Sequence, residues 1–149
     1  MIMLDHRCVT QLEHPGHSGV TRKPLREDRL EEMKPAPTKP AISIAVVNQV
    51  DARVGMIESV GDVEGSNKLV RLRVDFGDHK RTILAGLKQE REDPTEIEGR
   101  QALFIVNLEP RKMMGEVSEA MLFDIGYEDD LQPALLTPER PVPNGTRAG

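Results

Sequence analysis

Apolar and polar residues alternate most clearly near the middle of the chain. Val70, Leu72 and Val74 are apolar, whereas Arg71 and Arg73 lie between them. Because successive side chains of a strand point to opposite faces, this period of two predicts a half-buried strand that shows its arginines to solvent. Related patterns predict further strands over residues 53–60, 80–84, 101–108 and 119–126.

A short helix is predicted between the third and fourth strands. Asp93 is suited to an N-cap, Pro94 to the first helical position and Gly99 to the end of the helix. Five short strands with a helix before the fourth is the order of the OB fold, a small and partly open β-barrel. The sequence therefore predicts an all-β, OB-fold five-stranded barrel with short helices and a C-terminal extension.

The first 40 residues differ from the rest of the chain. They have no sustained period, and prolines interrupt them, leaving at best a short helix over residues 27–33. Residues 34–40 have the composition of an extended, polyproline-like linker. We expect a flexible tail over residues 1–40 and one folded domain over residues 41–149, and Met33 is an alternative start of translation that an intact mass would test.

Length and cysteine usage narrow the class of protein. A chain of 149 residues is long enough for one domain with a core and a tail. Its single cysteine, Cys8, excludes an internal disulfide framework and fits a reducing cytoplasm. No apolar run has the length of a membrane span and no signal peptide is indicated, so we expect a soluble, cytoplasmic protein.

Catalytic and metal chemistry find little support in the sequence. No grouping of nucleophile, base and orienting residue can be assembled, and no phosphate-binding loop ends in Gly-Lys-Ser or Gly-Lys-Thr. His6, Cys8, His14 and His17 could hold zinc, but no residues are apparent that would orient such ligands. We therefore predict a non-enzymatic protein with no metal and no cofactor.

Residues 107–122 carry the most specific motif. The wholly apolar run 102–106 leads through Asn107 to a Pro-Arg-Lys turn at 110–112, followed by Gly115, Ser118 and a second apolar run. A positively charged loop is thus predicted between two buried strands. Such a loop is a site for an anionic ligand.

This motif and its neighbours resemble the tRNA-binding domain appended to the C-terminus of many bacterial methionyl-tRNA synthetases and also found as free-standing tRNA-binding proteins. The resemblance runs from about Ser43 to the C-terminus. It implies a short helix over residues 43–48, before the first strand. Its further pieces, in chain order, are residues 50–55, 64–69, 74–77, 81–86, 136–138 and 142–146.

The resemblance implies which residues contact RNA. Arg111 offers a planar fork of donors and Lys112 a mobile point charge, both suited to phosphate. Asn107 and Ser118 can donate to phosphate, ribose or base edges. Lys68, after a Gly-Ser-Asn turn, ranks above Arg71 and Arg73 as a further contact.

Each of these residues also has a structural alternative. Asn107 could cap the end of its strand, Glu119 could pair with Lys112 or Arg111, and Met121 could belong to the core. Arg71 and Arg73 could be solvated residues of a strand. The chain departs from the family with Ala85, Glu109 and Ala120 in place of the usual serine, lysine and glycine, and the carboxylate of Glu109 should weaken phosphate affinity at this loop.

Charge and aromatic content indicate the kind of RNA. The net charge is −5, and acidic residues gather over 90–98 and 124–130. An aromatic content of 3% is too low for stacking single-stranded bases, so folded RNA is the better candidate. The segments that match the family hold the cations of a predicted basic face: Lys68, Arg71, Arg73, Lys80, Arg81, Arg111 and Lys112.

The leading interpretation is a structure-specific tRNA-binding protein that acts alone or in trans to an aminoacyl-tRNA synthetase. Residues from about 127 to 149 match an extension that pairs two subunits in free-standing relatives, which predicts a homodimer. Leu131, Leu135, Leu136 and Val142 have no place in a five-stranded barrel, although they could instead close one end of their own barrel. The alternative function is a secretion-type chaperone that binds unfolded polypeptides through the same barrel face.

Overall fold

The computed structural model describes residues 34–149. A short helix α1, Ile44–Val47, precedes the first strand, and 3₁₀ helices cover Pro94–Ile97 and Tyr127–Asp129. The strands are β1 Ala52–Asp62, β2 Val70–Asp75, β3 Lys80–Ala85, β4 Gln101–Ile105, β5 Arg111–Met113, β6 Glu116–Ser118, β7 Met121–Leu122, β8 Asp124–Ile125, β9 Ala134–Leu135 and β10 Arg147–Ala148.

A six-stranded antiparallel sheet forms the body of the domain, in the order β3-β2-β1-β4-β7 with β10 also paired to β1. The long strand β1 pairs with β4 along its first half and with β2 along its second. Glu119 makes two hydrogen bonds with the edge strand β3. Its N–H donates to the Thr82 carbonyl at 2.9 Å, and its carboxylate accepts from the Thr82 N–H at 2.8 Å. This curled sheet confirms the predicted all-β, OB-like barrel.

The core is built from the apolar positions of the alternating strands. Val70, Leu72 and Val74 are buried on the inner face of β2. Phe76 and Phe104 pack edge to face, with ring centroids 5.6 Å apart, and both are at most 2% exposed. The alternation in the sequence therefore predicts the inner face of β2 correctly.

Gly55 allows β1 to approach this core. A Cβ atom built there would lie 2.5 Å from Val74 Cγ1 and 2.8 Å from Phe76 Cε1. Since real Cβ atoms do not approach carbon so closely, any side chain at this position would displace the core.

Two predicted helices are confirmed in shortened form. The helix expected over residues 43–48 is α1, and the helix expected before the fourth strand is the 3₁₀ helix Pro94–Ile97. The Asp93 carboxylate accepts from the Thr95 N–H at 3.0 Å, as an N-cap does, and Ile97 is fully buried. One buried side chain thus attaches this turn to the barrel.

The second half of the domain differs in detail from the expected single strand over residues 119–126. That region divides into β7, which pairs with β4, and β8, which pairs with β9. Residues 111–118 form a β-hairpin, β5–β6, that the sequence indicated only as a loop. Next to the division, the Leu103 carbonyl in β4 accepts from the Phe123 N–H and the Leu103 N–H donates to the Leu136 carbonyl, so that β4 meets two different segments.

The four apolar residues expected to lack a place in the barrel are partly buried within the single chain. Leu131, Leu136 and Val142 are half-buried, and Leu135 packs against the core cluster. The expectation that one barrel would leave them in water was wrong, because β8 and β9 fold this segment back onto it.

The segment around residues 142–146 is fastened to one end of the sheet. The Gln101 side chain accepts from the Val142 N–H at 3.1 Å and donates to the Val142 carbonyl at 2.6 Å. Asn144 Nδ2 donates to the Asp75 carboxylate at 3.1 Å. At Gly145 a Cβ atom would lie 2.2 Å from the Phe76 carbonyl oxygen, and the positive φ of 88° also favours glycine there.

Residues 34–149 form one compact unit. Within it, residues 34–40 carry neither helix nor strand and are exposed. The remainder of the predicted tail, including the helix expected over residues 27–33 and the candidate zinc ligands His6, Cys8, His14 and His17, lies outside the described residues. The domain boundary at residue 41 stays a prediction.

Candidate nucleic-acid interface

The outer face of β2 carries Arg71 and Arg73. Arg73 is exposed and lies in register between Ser59 of β1 and Thr82 of β3. It has no ion pair within residues 34–149, so its guanidinium is available to an anion from outside this part of the chain.

Arg71 is engaged by a carboxylate of the hairpin. Its Nε and Nη2 donate to the two carboxylate oxygens of Glu116 at 2.6 and 2.9 Å, and Nη2 also donates to the Asp62 carbonyl at 2.9 Å. The bidentate contact with Glu116 raises the pKa of the Arg71 guanidinium above its ordinary value. The pair joins β2 to β6 and leaves no net charge at this point of the face.

The β5–β6 hairpin presents two further predicted cations. Arg111 lies opposite Ser118 and Lys112 lies opposite Val117. Opposed residues of an antiparallel pair share a face, so Arg111 projects on the face of Ser118 and Lys112 on the other. Both cations are exposed and have no ion pair among residues 34–149.

The hairpin turns at Met114 and Gly115, which have φ values of 49° and 81°. Two successive positive φ values in a two-residue loop are typical of a type I′ turn, whose twist matches that of the flanking strands. The Met114 Cε atom lies 3.5 Å from the position a Cβ atom would occupy on Gly65. The hairpin tip therefore meets the loop between β1 and β2.

Lys68 lies in that same loop and is exposed. The Ser66 hydroxyl accepts from the N–H groups of Lys68 and Leu69 at 3.3 and 2.9 Å, which fixes the backbone before β2. The alkyl chain of Lys68 passes over Gly86, where a Cβ atom would be 3.4 Å from Lys68 Cε. Its ammonium group has no ion pair within residues 34–149.

The two predicted neutral contacts make internal hydrogen bonds. The Asn107 amide accepts from the Asp51 N–H at 2.8 Å and donates to the Gln49 carbonyl at 2.6 Å, which joins the end of β4 to the segment before β1. Ser118 is buried; its hydroxyl accepts from the Leu84 N–H and donates to the Ala120 carbonyl, both at 3.0 Å.

Two further cations of the predicted basic face, besides Arg71, have internal partners. Lys80 Nζ lies 2.6 Å from Glu58 Oε1. Arg81 Nη1 donates to the carbonyls of Val106 and Glu119 at 2.6 and 3.1 Å, and its guanidinium carbon lies 6.0 Å from the Phe76 ring centroid. Arg81 therefore closes the gap between β3 and the segment before β7.

Glu119 takes a different partner from either one expected. Its carboxylate accepts from the Thr82 N–H and forms no ion pair with Arg111 or Lys112. Among residues 34–149, the predicted cations whose side chains have neither an ion pair nor a hydrogen bond are thus Lys68, Arg73, Arg111 and Lys112.

A cavity of about 170 Å³ that the sequence did not indicate is lined in part by Gly86, the residue over which the alkyl chain of Lys68 passes. Burial raises the pKa of both the Glu90 and the Asp124 carboxyls that line it, and the charge of Asp124 raises the pKa of Glu90 further. The acidic residues at 90–98 and 124–130 were visible in the sequence, but the proximity of Glu90 and Asp124 was not. Leu84, Leu87, Met121 and Leu122 supply its apolar walls.

Two further features bear on the chemistry of the described residues. No helix within residues 34–149 is long and apolar enough to cross a membrane. In the same part of the chain, no group of three or more His, Cys, Asp or Glu side chains is arranged to hold a metal ion.

Similarity to solved structures agrees with this architecture. The crystal structure of a MetRS-related protein from Pyrococcus horikoshii matches with a TM-score of 0.68 and 30% identity, covering 74% of this chain and 100% of that one. Chaperone CsaA from Bacillus anthracis str. Ames matches with a TM-score of 0.64 and 24% identity, covering 74% and 100%. At that identity the likeness to CsaA shows the fold alone.

Sequence similarity identifies the family. The methionine–tRNA ligase of Methanopyrus kandleri is 43% identical over 96 residues, which are 64% of this chain and 14% of the ligase. The chain therefore spans only a small part of that relative's length. A family model described as "Putative tRNA binding domain" matches residues 52–147. The chain belongs to this family of tRNA-binding domains.

Proposed function

We propose that this protein binds folded tRNA without catalysis, through the outer face of β2 and the β5–β6 hairpin. In OB folds, oligonucleotides bind on the face of the second and third strands and on the two flanking loops. Lys68 lies in one of these loops and Arg111 and Lys112 lie in the other, with Arg73 on the strand face.

This proposal depends on one observation, that the hairpin cations are exposed and have no ion pair in the described part of the chain. Arg111 and Lys112 are exposed, lack ion pairs within residues 34–149, and project from a hairpin whose tip meets the loop of Lys68. Protein cations that lack partners release the counterions of RNA when they contact phosphates, which supplies affinity. The ligase and MetRS-related relatives support tRNA as that RNA.

The aromatic residues favour a folded ligand over a single strand. Phe76 and Phe104 are buried in the core, so neither can stack on a base at the β2 face, and the two exposed aromatic residues, Phe123 and Tyr127, are too few for a stacking platform. A protein that contacts the backbone of folded RNA needs cations and a matching shape instead. The net charge of −5 limits binding elsewhere on the molecule.

Salt titration of tRNA binding tests the proposal. We expect a log-log slope of roughly −2 to −4, because each phosphate contact contributes about −0.7 to −0.9 to the slope. Arg111→Ala with Lys112→Ala should weaken binding and make the slope shallower by about 1.4 to 1.8. The domain should keep its thermal stability, since both side chains are exposed.

A control variant separates local contacts from total charge. Lys34→Ala with Lys39→Ala removes the same charge from exposed positions outside the barrel and should leave the slope unchanged. If the hairpin variant binds tRNA with the wild-type affinity and slope, the hairpin is not the contact.

A chaperone that binds unfolded polypeptides is the second candidate function. It is favoured by the shared fold with chaperone CsaA and by large exposed apolar side chains such as Phe123, Ile125 and Tyr127. Binding of an unfolded polypeptide to apolar side chains depends little on salt. A slope near zero with tRNA, together with salt-insensitive capture of an unfolded polypeptide, would favour this function.

We also propose a homodimer, whose interface is the segment around α1 rather than the C-terminal extension. The segment around α1 exposes Ile42, Ile44, Val46, Val47 and Val50, at 46 to 72% of their surface. Contiguous apolar side chains of this kind are typical of an interface. Sedimentation should show a dimer for the wild type and a monomer for Ile44→Asp; a wild-type monomer at micromolar concentration would contradict it.

Action in trans to an aminoacyl-tRNA synthetase remains part of the proposal. Its support is that the matching residues form a small part of a ligase in Methanopyrus kandleri. Adding the protein to a methionyl-tRNA synthetase should lower the KM for tRNA if the two cooperate, and an unchanged KM would contradict this partner.

A further inference from the structure

Arg71 differs from Arg73, Arg111 and Lys112 in being held by a carboxylate within residues 34–149. Glu116 accepts from Nε and Nη2 of Arg71, and the Asp62 carbonyl accepts from Nη2 as well. A guanidinium has five N–H donors, and these contacts use the Nε–H and both hydrogens of Nη2. The edge of Arg71 best suited to bidentate phosphate binding is therefore occupied.

Arg73 provides the internal comparison. It projects from the same face of β2, two positions along, and it is exposed without an ion pair within residues 34–149. The side chains of Arg71 and Glu116 are 44% and 28% exposed, so solvent and RNA could reach the pair. The two arginines therefore differ in having an ion-pair partner and not in their exposure to solvent and RNA.

The position of the hairpin does not depend on this ion pair alone. The Ser118 hydroxyl accepts from the Leu84 N–H at 3.0 Å, and the next residue, Glu119, bonds the Thr82 backbone. β5 and β6 also pair through their own backbone. Loss of the Glu116 charge should therefore release the guanidinium while the hairpin keeps its place.

We propose that Glu116 is a specificity-determining residue that withholds Arg71 from RNA phosphates. The inference rests on the proposed tRNA-binding function. With Arg71 neutralised, the face makes one phosphate contact fewer, which lowers its affinity for any polyanion. Because phosphate contacts carry no sequence information, this lowers indiscriminate binding more than binding to a ligand that fits the whole face.

Glu116→Gln tests the inference by removing the charge while keeping the shape. The released Arg71 should tighten tRNA binding roughly fivefold near 0.1 M salt and steepen the log-log slope by about 0.7 to 0.9, as one added phosphate contact does. The same variant should tighten binding to a non-cognate polyanion such as heparin at least as much. Thermal unfolding should change little.

Glu109→Gln is the matched control. Glu109 is exposed, lies before the hairpin and has no ion pair among residues 34–149, so its loss changes the net charge equally without releasing an arginine. We expect a smaller gain in affinity and no change of slope. The double variant Arg71→Ala with Glu116→Gln should return the slope to the wild-type value, because the released cation is gone.

The results separate this inference from the proposed function. If Glu116→Gln leaves both affinity and slope at wild-type values, or weakens binding, Glu116 does not withhold Arg71 and the inference is overturned. An equal change of slope in Glu109→Gln would also overturn it. If tRNA binding by the wild type shows no dependence on salt, the proposed function itself is contradicted. The inference about Glu116 then fails with it.

Discussion

The six-stranded sheet and the β5–β6 hairpin are stabilised by different interactions. The sheet buries Ile57, Leu72, Ile83 and Phe104 completely. Among the strand residues of the hairpin, Arg111–Met113 and Glu116–Ser118, Ser118 alone is buried. The sheet is stabilised by the removal of apolar surface from water, whereas the hairpin is held on it by hydrogen bonds and one ion pair.

This difference separates folding from binding within one small domain. Residues that determine stability lie inside the sheet, whereas two of the cations proposed to contact RNA, Arg111 and Lys112, lie on a hairpin that contributes little to the core. Substitutions of the hairpin cations should therefore change RNA affinity with small effects on stability. Substitutions of buried residues in the sheet should lower stability, and they should reduce RNA affinity only by unfolding the domain. Three experiments examine this contrast.

Phe104→Ala should have the largest effect. Loss of a fully buried ring that packs against Phe76 is expected to lower the free energy of unfolding by about 3 to 5 kcal/mol, from lost burial and the cavity left behind. Urea unfolding measures this change. Val117→Ala in the hairpin, 45% exposed, should stay within about 0.5 kcal/mol of wild type; similar losses for both variants would contradict the contrast.

Ser118→Ala should have an intermediate effect at the junction of the two regions. It leaves the buried Leu84 N–H without its acceptor, at a cost of about 1 to 3 kcal/mol. Hydrogen exchange at the Leu84 amide should accelerate by more than global unfolding explains. Ser59→Ala, at an exposed position of β1, is the control and should change neither quantity.

Asp124→Asn should have the smallest effect, and its sign depends on pH. Burial raises the pKa of Asp124 in the folded state, so the folded protein binds protons more readily than the unfolded chain. Stability from this group is present at low pH and is lost as pH rises through the folded-state pKa. Removing the charge should therefore raise stability at pH 7 by less than about 1 kcal/mol, since solvent screens the site.

Urea midpoints at pH 7 and pH 4 measure this gain, which should shrink at pH 4 as the wild-type carboxyl becomes protonated. Asp130→Asn, at an exposed position with a positive φ of 55° that asparagine tolerates, should leave the midpoints nearly unchanged. A lower midpoint for Asp124→Asn at pH 7 would mean that its charged form stabilises the fold.

The sequence predicted the parts of the fold that follow from local pattern. The alternation of apolar and polar residues predicted which face of β2 is buried, and the N-cap residue Asp93 predicted the start of the 3₁₀ helix. The division of the last strand into β7 and β8 was not predictable in this way. It depends on which segment reaches the edge of β4, and neither Phe123 nor Leu136 carries a local signal of that pairing.

The sequence predicted which cations of the candidate site are exposed, but it did not predict all of their interaction partners. Lys68, Arg73, Arg111 and Lys112 lie on exposed positions, as their charge and setting indicated. The partners of Arg71 and Glu119 come from residues distant in sequence, Glu116 and Thr82, and spacing along the chain cannot reveal them. Whether these cations contact RNA stays a prediction.

The pairing of β1 with β10 bears on how this barrel is made in the cell. The Gly145 N–H donates to the Val54 carbonyl at 2.7 Å, and Arg147 Nη2 donates to Asp51 across 96 positions of the chain. While the ribosome still holds these late residues, the leading edge of β1 in the nascent chain lacks its final neighbour. The barrel is therefore completed only after residues 145–148 have emerged, and until then the growing polypeptide carries an open strand edge at which other chains can pair.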